Sequence, residues 1–320
     1  MSRPIFMAPA EAQTGWPASV FDPAGPYAGS VTTLSWILIA MSAAVLAVVI
    51  VAFWVALFGN ERLKKRLGGK RTIWIGGVAF PVVVLTALLI YGLTLTRNLT
   101  APVPADAMRV RITGEMWWWR VAYLDPGGQA YLLDANELHI PVGRPVVPEL
   151  ESNDVVHSFW VPQLSGKLDM IPGRRNVLAI QADRVGVFGG QCAEFCGGPH
   201  ALMGFAVVAH EPAAFDRLMA QRRAPPAQAA GSGAALFRAK GCAACHRIAG
   251  TQANGTAGPD LSHVASRRTL GAGILPNNRG TLIGWIGDSQ AIKPGNRMPA
   301  YKMLSAEELQ QLADYLGEQR

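Results

Sequence analysis

Two long stretches without a charged side chain constrain the fold of this chain more than any other feature. Residues 23–60 contain no charged residue, and neither do residues 72–96. A helix of about 20 apolar residues spans a bilayer core of roughly 30 Å, whereas buried helices of soluble proteins rarely reach such lengths without a charge. We therefore predict two transmembrane helices, Leu34 to Phe58 and Ile73 to Leu95, with a kink at Pro81 in the second.

The loop between the two predicted helices is strongly basic. Residues 60–71 contain six basic residues and one acidic residue. The positive-inside rule makes so short a loop cytoplasmic, which predicts that both termini lie on the extracytoplasmic side. Residues 1–30 lack the pattern of a signal peptide, so membrane insertion is expected to depend on the first helix, unless a cleaved segment is missing from this sequence. The net charge of +7 does not indicate nucleic-acid binding, because no basic run is interleaved with aromatic residues.

The four cysteines fall into two short motifs, of which Cys242-Ala-Ala-Cys245-His246 is the simpler. At this spacing two thiols can form thioether bonds to one haem, with the histidine as an axial ligand of the iron. A zinc site would need a second ligand pair, and only His263 lies nearby. A redox dithiol usually lies in a βαβ pattern, which the sequence does not show. The motif therefore predicts a covalent c-type haem.

The sixth ligand of this haem iron is expected to be a downstream methionine or histidine. The candidates are Met298, Met303 and His263. Met298 lies in a proline-containing loop just before a predicted terminal helix, whereas Met303 lies where that helix begins. We therefore prefer Met298, whose thioether would raise the haem potential.

The other motif combines two cysteines, a histidine and a methionine in one loop: Cys192, Cys196, His200 and Met203. Soft sulfur and imidazole ligands select copper over hard cations. A mononuclear blue-copper site needs only one cysteine, whereas two thiolates can bridge a pair of copper ions. Each copper also needs an imidazole, and His157, on a predicted apolar strand, is the expected source of the second. The loop therefore predicts a dinuclear copper site.

Nearly the whole chain shares its motifs with one known family. Besides the apolar helices and the cysteine motifs, these are the tryptophan-rich run from Gly114 to Trp119 and the run from His157 to Arg174. With them, the chain resembles subunit II of the cytochrome c oxidases of the haem-copper superfamily, in the variant with a cytochrome c domain fused at its C-terminus.

The resemblance implies a dinuclear copper A centre. Its implied ligands are His157, Cys192, Cys196, His200 and Met203, with the backbone carbonyl of Glu194 as a sixth. The Glu194 side chain is further implied to bind a magnesium ion shared with subunit I. Trp117 matches the tryptophan at which the family accepts electrons, although Trp118 and Trp119 differ from the common Tyr-Trp ending.

The expected fold is a multidomain membrane protein. It comprises a two-helix transmembrane hairpin, a cupredoxin-like Greek-key β-barrel and an all-α cytochrome c domain. The expected boundaries are an extracytoplasmic N-terminal segment (1–30), the helix hairpin (31–98), the copper A domain (99–220), a linker (221–233) and the cytochrome c domain (234–320). The linker is rich in proline, alanine and glycine, which predicts a flexible tether that keeps the haem at high concentration near the copper.

Local patterns support these domains. Alternating or apolar runs predict strands at 110–113, 137–140, 176–181 and 204–209. Helices are predicted at 234–244 and 282–286, and a terminal helix is predicted to begin with a capping box at Ser305. His139 and His210 are interpreted as ordinary strand or surface residues. With two cysteines for copper and two for haem, none remains for a disulfide.

The histidine positions limit what this chain can catalyse. The six histidines are residues 139, 157, 200, 210, 246 and 263, and none lies in a predicted span. Oxygen reduction in the resembled superfamily needs histidines inside transmembrane helices, so a partner subunit must supply that chemistry. The expected partners are subunit I, further oxidase subunits, the membrane, and an electron donor that is either cytochrome c or a quinol-oxidising complex.

Three other functions stay open from the sequence. A nitric oxide reductase with a copper A subunit would share this anchor and barrel, and a free-standing membrane cytochrome could shuttle electrons. A copper chaperone with a Cys-x-x-x-Cys motif would need neither Met203 nor His200 at this spacing, nor a haem domain.

Overall fold

A computed structural model describes residues 19–102, 104, 106–226 and 231–320 of the chain. Two compact units make up this structure, one formed by residues 29–102 and the other by the remaining described residues. Residues 1–18 of the predicted N-terminal segment and residues 227–230 of the predicted linker lie outside the described residues.

The smaller unit contains the two predicted transmembrane helices. Helix α1 (Pro26–Phe58) and a second helical stretch, Lys70–Leu99, have mean hydropathies of 2.8 and 2.5 and are long enough to cross a membrane. Their side chains are largely exposed, as expected of helices whose solvent is lipid. Between them, helix α2 (Glu61–Leu67) carries most of the basic loop and is capped by Asn60, whose side chain accepts a hydrogen bond from the Leu63 N–H.

The second helical stretch changes its winding just before the predicted kink. It consists of helix α3 (Lys70–Trp74), a π-helical turn (Ile75–Ala79) and helix α4 (Phe80–Leu99). Pro81 has no N–H, and its ring clashes with the carbonyl four residues earlier in a regular helix. The wider π turn supplies the space that this ring requires.

The second unit begins with a β-barrel of two five-stranded sheets. The strand orders are β3-β2-β1-β5-β8 and β4-β10-β9-β6-β7, with parallel pairing of β1 with β5 and of β4 with β10. The strands are β1 (Met108–Glu115), β2 (Trp118–Leu124), β3 (Ala130–Ala135), β4 (Glu137–Pro141), β5 (Val146–Ser152), β6 (His157–Trp160), β7 (Leu168–Met170), β8 (Asn176–Val177), β9 (Gly186–Cys192) and β10 (Gly204–His210).

The barrel core forms where the inward faces of the two sheets meet. Trp119, Phe159 and Phe205 pack there edge to face, with ring centroids 5.1–5.9 Å apart. Three of the four predicted strands are present at nearly their predicted positions. The fourth is shorter, because only Asn176 and Val177 form a ladder and Ile180 makes one isolated bridge to β5.

Short helices form the C-terminal part of the second unit. They are α5 (Pro212–Arg223), α6 (Ser232–Ala239), α7 (Cys242–Cys245), α8 (Arg279–Ile292) and α9 (Ala306–Gly317), together with a small hairpin of β11 (Thr269–Leu270) and β12 (Leu275–Pro276). The predicted capping box of the terminal helix is confirmed: Ser305 and Glu308 each accept a hydrogen bond from the other's backbone N–H. A separate hydrophobic core fills this C-terminal domain, defined here as residues 231–320.

The C-terminal domain is packed against the barrel rather than held only by a flexible tether. Asp134 on β3 is buried and binds Arg222 of α5 and Arg267 of the C-terminal domain. Glu137 on β4 accepts hydrogen bonds from the backbone N–H groups of Arg268 and Thr269, at 2.5 and 3.3 Å. Helix α5 also extends into the predicted linker, since it ends at residue 223. The two domains therefore share a buried polar interface.

Candidate copper and haem sites

The five predicted copper side chains converge at one end of the barrel. They come from the start of β6, the end of β9, the loop after β9, a 3-10 turn (His200–Leu202) and the residue before β10. Antiparallel pairing of β6 with β9 sets Phe159 opposite Cys192, which brings the two strand ends together. The residues that meet there are His157, Cys192, Cys196, His200 and Met203.

The ligand atoms lie close to one another. The two sulfur atoms, Sγ of Cys192 and Sγ of Cys196, are 3.7 Å apart. The Nδ1 atom of His157 lies 3.9 Å from Cys192 Sγ, and that of His200 lies 3.5 Å from Cys196 Sγ. Met203 Sδ is 3.9 Å from Cys196 Sγ. Each thiol therefore has its own imidazole, which suits two metal ions bridged by two thiolates.

A backbone carbonyl and the shape of the barrel complete this site. The Glu194 carbonyl oxygen lies 3.2 Å from Cys192 Sγ. A Cβ atom at Gly114 would come 2.6 Å from the His157 ring, so only glycine leaves space for this imidazole. The Trp119 ring packs against the same imidazole, with centroids 6.3 Å apart. The barrel thus fixes the position of His157 through close packing.

Asp154 orients the His157 ring. Its Oδ1 atom lies 2.9 Å from His157 Nε2, which leaves Nδ1 facing the thiols. Its Oδ2 atom accepts a hydrogen bond from the Met116 N–H at 2.8 Å. A carboxylate behind a ligating histidine fixes the tautomer and raises the basicity of the ligand. The sequence interpretation missed Asp154, although its position three residues before His157 offered a signal.

Electrostatics favour a deprotonated sulfur at this site. The hydrogen bond between the Cys192 and Cys196 sulfur atoms lowers the pKa of Cys192, against the opposing effect of burial, and His157 adds to the lowering. The same contact raises the pKa of Cys196, because the neighbouring Cys192 thiolate disfavours a second negative charge. Burial opposes the charging of His157, but hydrogen bonds to Cys192 and Asp154 raise its pKa. A bound cation would stabilise both sulfur atoms as thiolates, so the ligand set fits copper.

The predicted haem residues surround a cavity of about 350 Å³, within the size range of cofactor pockets. Its walls include Cys242, Cys245, His246, Met298, Trp117 and Trp118. Two of these six side chains come from the barrel, so the cavity lies between the barrel and the C-terminal domain. An apolar cavity beside two thiols and an imidazole fits a covalently attached haem.

His246 is held in the orientation that ligation requires. Its Nδ1 atom lies 2.8 Å from the Pro259 carbonyl oxygen, so Nδ1–H donates there and Nε2 is left for a metal. Burial lowers the pKa of His246, which keeps the ring neutral. Gly258 lies directly against the ring, because a Cβ atom there would come 2.6 Å from His246 Cε1.

The three candidates for the sixth ligand occupy different places. Met298 is half-buried and lines the cavity. Met303 is 75% exposed, and the cavity wall does not include it. His263 is buried, but its Nε2 atom lies 2.9 Å from the Arg222 carbonyl oxygen, away from the cavity. The geometry thus favours Met298.

Trp117 lies between the two sites. Its indole N–H donates to the Cys196 carbonyl oxygen at 2.8 Å, and the residue also lines the cavity. Gly197 permits this approach, because a Cβ atom there would lie 3.1 Å from Trp117 Cζ2 and because its φ is +110°. A single side chain therefore contacts both the copper loop and the haem cavity.

Comparison with known proteins agrees with this division of the chain. Residues 120–210 match the family "Cytochrome C oxidase subunit II, periplasmic domain", and residues 230–319 match the family "Cytochrome c". A protein of Alkalihalophilus pseudofirmus named cytochrome c oxidase subunit 2 is 34% identical over 93% of this chain and 90% of its own length. The chain belongs to the cytochrome c oxidase subunit 2 family.

A second relative and one solved structure also match the chain. The cytochrome c oxidase subunit 2 of Bacillus subtilis is 29% identical over 84% of this chain and 80% of its own length. The crystal structure of the periplasmic domain of subunit II of cytochrome oxidase from Bradyrhizobium japonicum is 30% identical and covers 38% of this chain and 97% of that domain, with a TM-score of 0.35.

Family membership confirms the expected class of protein. The chain is a cytochrome c oxidase subunit with a cytochrome c domain after its cupredoxin-like domain, and the two domain families imply copper and haem. The two apolar helices and the periplasmic-domain match make it a membrane-anchored protein with an extracytoplasmic domain.

His139 and His210 lie outside both sites. His139 is buried on β4, and its Nδ1 atom lies 2.8 Å from Nε2 of His210 at the end of β10. They are strand residues that pair with each other, in agreement with their interpretation from the sequence.

Proposed function

We propose that this chain is the electron-input subunit of a terminal oxidase in a bacterial-type inner membrane. The C-terminal domain would hold a c-type haem and the barrel a dinuclear copper A centre, and in that order the two groups would supply electron transfer between a donor and a haem of subunit I, where oxygen becomes water and protons are translocated. The donor is a soluble cytochrome c or a quinol-oxidising complex. The observation that carries this proposal is the position of Trp117, which contacts both the haem cavity and the copper loop.

The barrel residues hold and insulate the copper site. Cys192 and Cys196 would supply two thiolates to the copper centre, His157 and His200 one imidazole each, and Met203 a thioether. The side chains of His157, Cys192, Cys196 and Met203 are 5% exposed or less, which excludes water from the ligand atoms. Because strands and close packing hold these groups, electron transfer would require little rearrangement.

The C-terminal domain holds the haem. Cys242 and Cys245 would form the thioether bonds to the haem, and His246, through Nε2, and Met298 would be the ligands of its iron. The hydrogen bond from His246 to the Pro259 carbonyl keeps the imidazole in the tautomer that can ligate. Trp117 then provides a continuous contact from the haem cavity to the copper ligand Cys196.

Glu194 has two separate roles in this proposal. Its backbone carbonyl faces Cys192 Sγ, while its side chain is 45% exposed and lies 4.0 Å from the Lys167 ammonium. Among the described residues, the one cluster of three or more side chains able to hold a metal is His157, Cys192 and Cys196. A magnesium ion at Glu194 would therefore need its other protein ligands from subunit I.

The membrane topology follows from charge. The basic segment 60–71 lies between the two spans and is placed in the cytoplasm, so both termini and both redox domains are extracytoplasmic. Cysteine accessibility on either side of the membrane tests this, with single cysteines introduced at Lys64 and at Asp125. Labelling of Lys64→Cys from the outside would contradict the topology.

Spectra of the purified complex test the redox centres. We expect a mixed-valence dicopper EPR signal together with the optical band of a c-type haem. The double variant Cys192→Ser with Cys196→Ser should lose the first signal and keep the second, and Cys242→Ala with Cys245→Ala should do the reverse. A single-copper signal in the unmodified chain would exclude the bridged site.

Purification and gas consumption separate the remaining functions. An oxidase subunit should co-purify with a twelve-helix haem protein and consume oxygen, whereas consumption of nitric oxide would identify a reductase. Purification without such a partner would favour a free-standing shuttle. If removal of Met298 and Cys242 left the rate of reduction of the complex by its donor unchanged, the haem would not be the first acceptor.

A further inference from the structure

One lysine of the C-terminal domain is buried against the copper loop. Lys293 follows helix α8 and is 2% exposed. Its ammonium donates hydrogen bonds to three backbone carbonyl oxygens: Trp117 at 2.7 Å, Leu202 at 2.7 Å and Gly271 at 2.9 Å. Two of these carbonyls belong to the barrel and one to the C-terminal domain. The ammonium group of Lys293 therefore bonds to both domains at once.

A lysine in this position is unusual because its charge has no carboxylate partner. No ion pair involves Lys293 in the part of the chain that the structure describes, and burial lowers its pKa to about 7. Burying an ammonium without a carboxylate is costly, and lysine is rarely fully buried. Three hydrogen bonds satisfy all three of its donors, which offsets this cost. Solubility does not explain a charge with so little exposure, so its role is to hold the three carbonyls.

Those carbonyls flank the copper ligands. Leu202 immediately precedes Met203, and on the other side the Gly204 N–H donates to the Ala272 carbonyl oxygen at 2.9 Å. The peptide groups on both sides of Met203 are therefore bound by the C-terminal domain. A second of the carbonyls bound by Lys293 belongs to Trp117, whose indole N–H donates to the Cys196 carbonyl oxygen.

The same lysine is tied to the loop that carries Met298. The Asn296 side-chain amide donates to the Lys293 carbonyl oxygen at 2.7 Å and to the Ser289 carbonyl oxygen at 2.9 Å. The Gln290 amide donates to the Met298 carbonyl oxygen at 2.7 Å. These bonds hold residues 293–298 as one rigid loop. Movement of Lys293 would therefore be transmitted to Met298.

We propose that Lys293 is a positioning residue that holds three segments in one arrangement: the loop of residues 293–298, the turn at Trp117, and the part of the copper loop next to Met203. It sets the geometry of the copper site and the separation of the two centres. This inference rests on the proposed function, in which Met298 and Met203 are ligands. It goes beyond that function because it makes the copper site depend on a residue of the haem domain.

The test compares Lys293→Met with Lys302→Met in the purified complex. Methionine has about the length of lysine but no donor, so Lys293→Met removes all three hydrogen bonds while filling the space. Lys302 is a matched control, since it belongs to the same domain, is 69% exposed and pairs with Asp288 at 2.7 Å. Lys293→Gln, which keeps N–H donors without charge, gives an intermediate case.

Three readouts distinguish positioning from a general loss of stability. The copper hyperfine pattern in EPR should change in Lys293→Met, because the Met203 segment is released. Hydrogen exchange of the Gly204 amide, measured in chain without copper, should become about tenfold faster. The transfer of one electron from reduced haem to the copper pair, in which no bond forms or breaks, should slow about tenfold at equal copper and haem content. Lys293→Gln should show smaller changes in the same directions.

The results separate this inference from the proposed function. If Lys293→Met matched Lys302→Met in all three readouts, Lys293 would have no positioning role, although both centres could still be present. If Lys293→Met bound neither copper nor haem, the test would use Lys293→Gln and the hydrogen exchange of the Gly204 amide. Values equal to those of Lys302→Met would again mean that Lys293 has no positioning role. Absence of the dicopper signal or of the haem band from the unmodified chain would instead overturn the proposed function.

Discussion

The copper loop and the haem cavity are built in different ways. The proposed copper ligands project from strand ends and a short loop of a barrel whose core is already filled, and their ligand atoms lie 3.2–3.9 Å apart with no large space between them. The haem residues surround an open volume of about 350 Å³, with walls made of short helices and loops. The barrel supplies most of its site from its own packing, with Lys293 of the C-terminal domain bound at the edge of that site, whereas the C-terminal domain surrounds a volume that a cofactor would fill.

The largest expected effect follows from this contrast. Cys242→Ala with Cys245→Ala should prevent haem attachment, and the C-terminal domain should then lose its cooperative unfolding transition in calorimetry, because its core lacks its largest component. The barrel should still unfold cooperatively. The matched change in the barrel, Cys192→Ser with Cys196→Ser, should keep both unfolding transitions. It should lower the free energy of unfolding of the barrel by about 1–3 kcal/mol. If each double variant lost the same amount of unfolding free energy in its own domain, the two domains would not differ in how far they depend on their cofactors.

The next effect concerns the interface that joins the two regions. Asp134→Asn leaves Arg222 and Arg267 buried with one neutral partner, and breaking a buried ion pair in this way costs about 3–5 kcal/mol. In chemical denaturation of the complex, this loss should appear as unfolding of the C-terminal domain separately from the barrel. Asp314→Asn removes an exposed ion pair with Arg279 and serves as the control, with no measurable change expected. Similar effects of the two variants would mean that the interface contributes little.

A pH dependence at the same interface should be smaller. Burial raises the pKa of Glu137 to about 7, and the neighbouring Asp134 carboxylate adds to this, although the Arg268 N–H and the nearby arginines oppose it. Between pH 4.5 and 7 the folded chain then binds more protons than the unfolded chain, so this group makes stability fall as pH rises through that range. Over this pH range the free energy of unfolding should fall by about 2–3 kcal/mol.

Glu137→Gln should remove that slope, because the amide oxygen can still accept the backbone hydrogen bonds without ionising. Unfolding free energies at pH 5 and pH 8 measure the effect. Glu307→Gln, at an exposed position of α9, should keep the original slope. A slope unchanged by Glu137→Gln would assign the pH dependence to other groups.

The smallest expected effect concerns the start of helix α9 in the C-terminal domain. Ser305→Ala removes the side chain that caps α9 and should cost about 1 kcal/mol, whereas Ser305→Gly should cost only a few tenths. The loss should appear in the unfolding of the C-terminal domain and leave the barrel transition unchanged. An equal shift in both transitions would indicate that the two domains unfold as one unit.

The sequence predicted features that depend on local spacing. The copper loop and the haem motif each lie within a few residues, so most of the candidate ligands could be named without a fold, and the uncharged runs predicted both apolar helices. His157 and Met298 lie outside these motifs and had to be inferred from more distant positions. Helix α1 begins at Pro26, eight positions before its predicted start, because proline is favoured in the first turn of a helix and polar residues follow it. A hydropathy criterion misses such a start.

Features that depend on distant residues could not be predicted. Asp134 pairs with Arg222 and Arg267, which are 88 and 133 positions further along the chain, and no local pattern connects them. Lys293 is one lysine in a loop with glycine and proline, and its burial follows only from docking on the barrel. The predicted strand at 176–181 shows the opposite error, since an alternating pattern was present but only two residues found a partner strand.

The shared burial of Asp134 has an evolutionary consequence. A relative without the C-terminal domain would expose this carboxylate and have no counterpart of Arg267, so selection to keep the acid would be lost with the domain. Asp134, Arg222 and Arg267 should therefore vary together across the family, present as a set in fused chains and replaced independently in shorter ones. Aligned sequences of both kinds would reveal whether the fusion, once acquired, fixed a surface of the barrel that had been free to change.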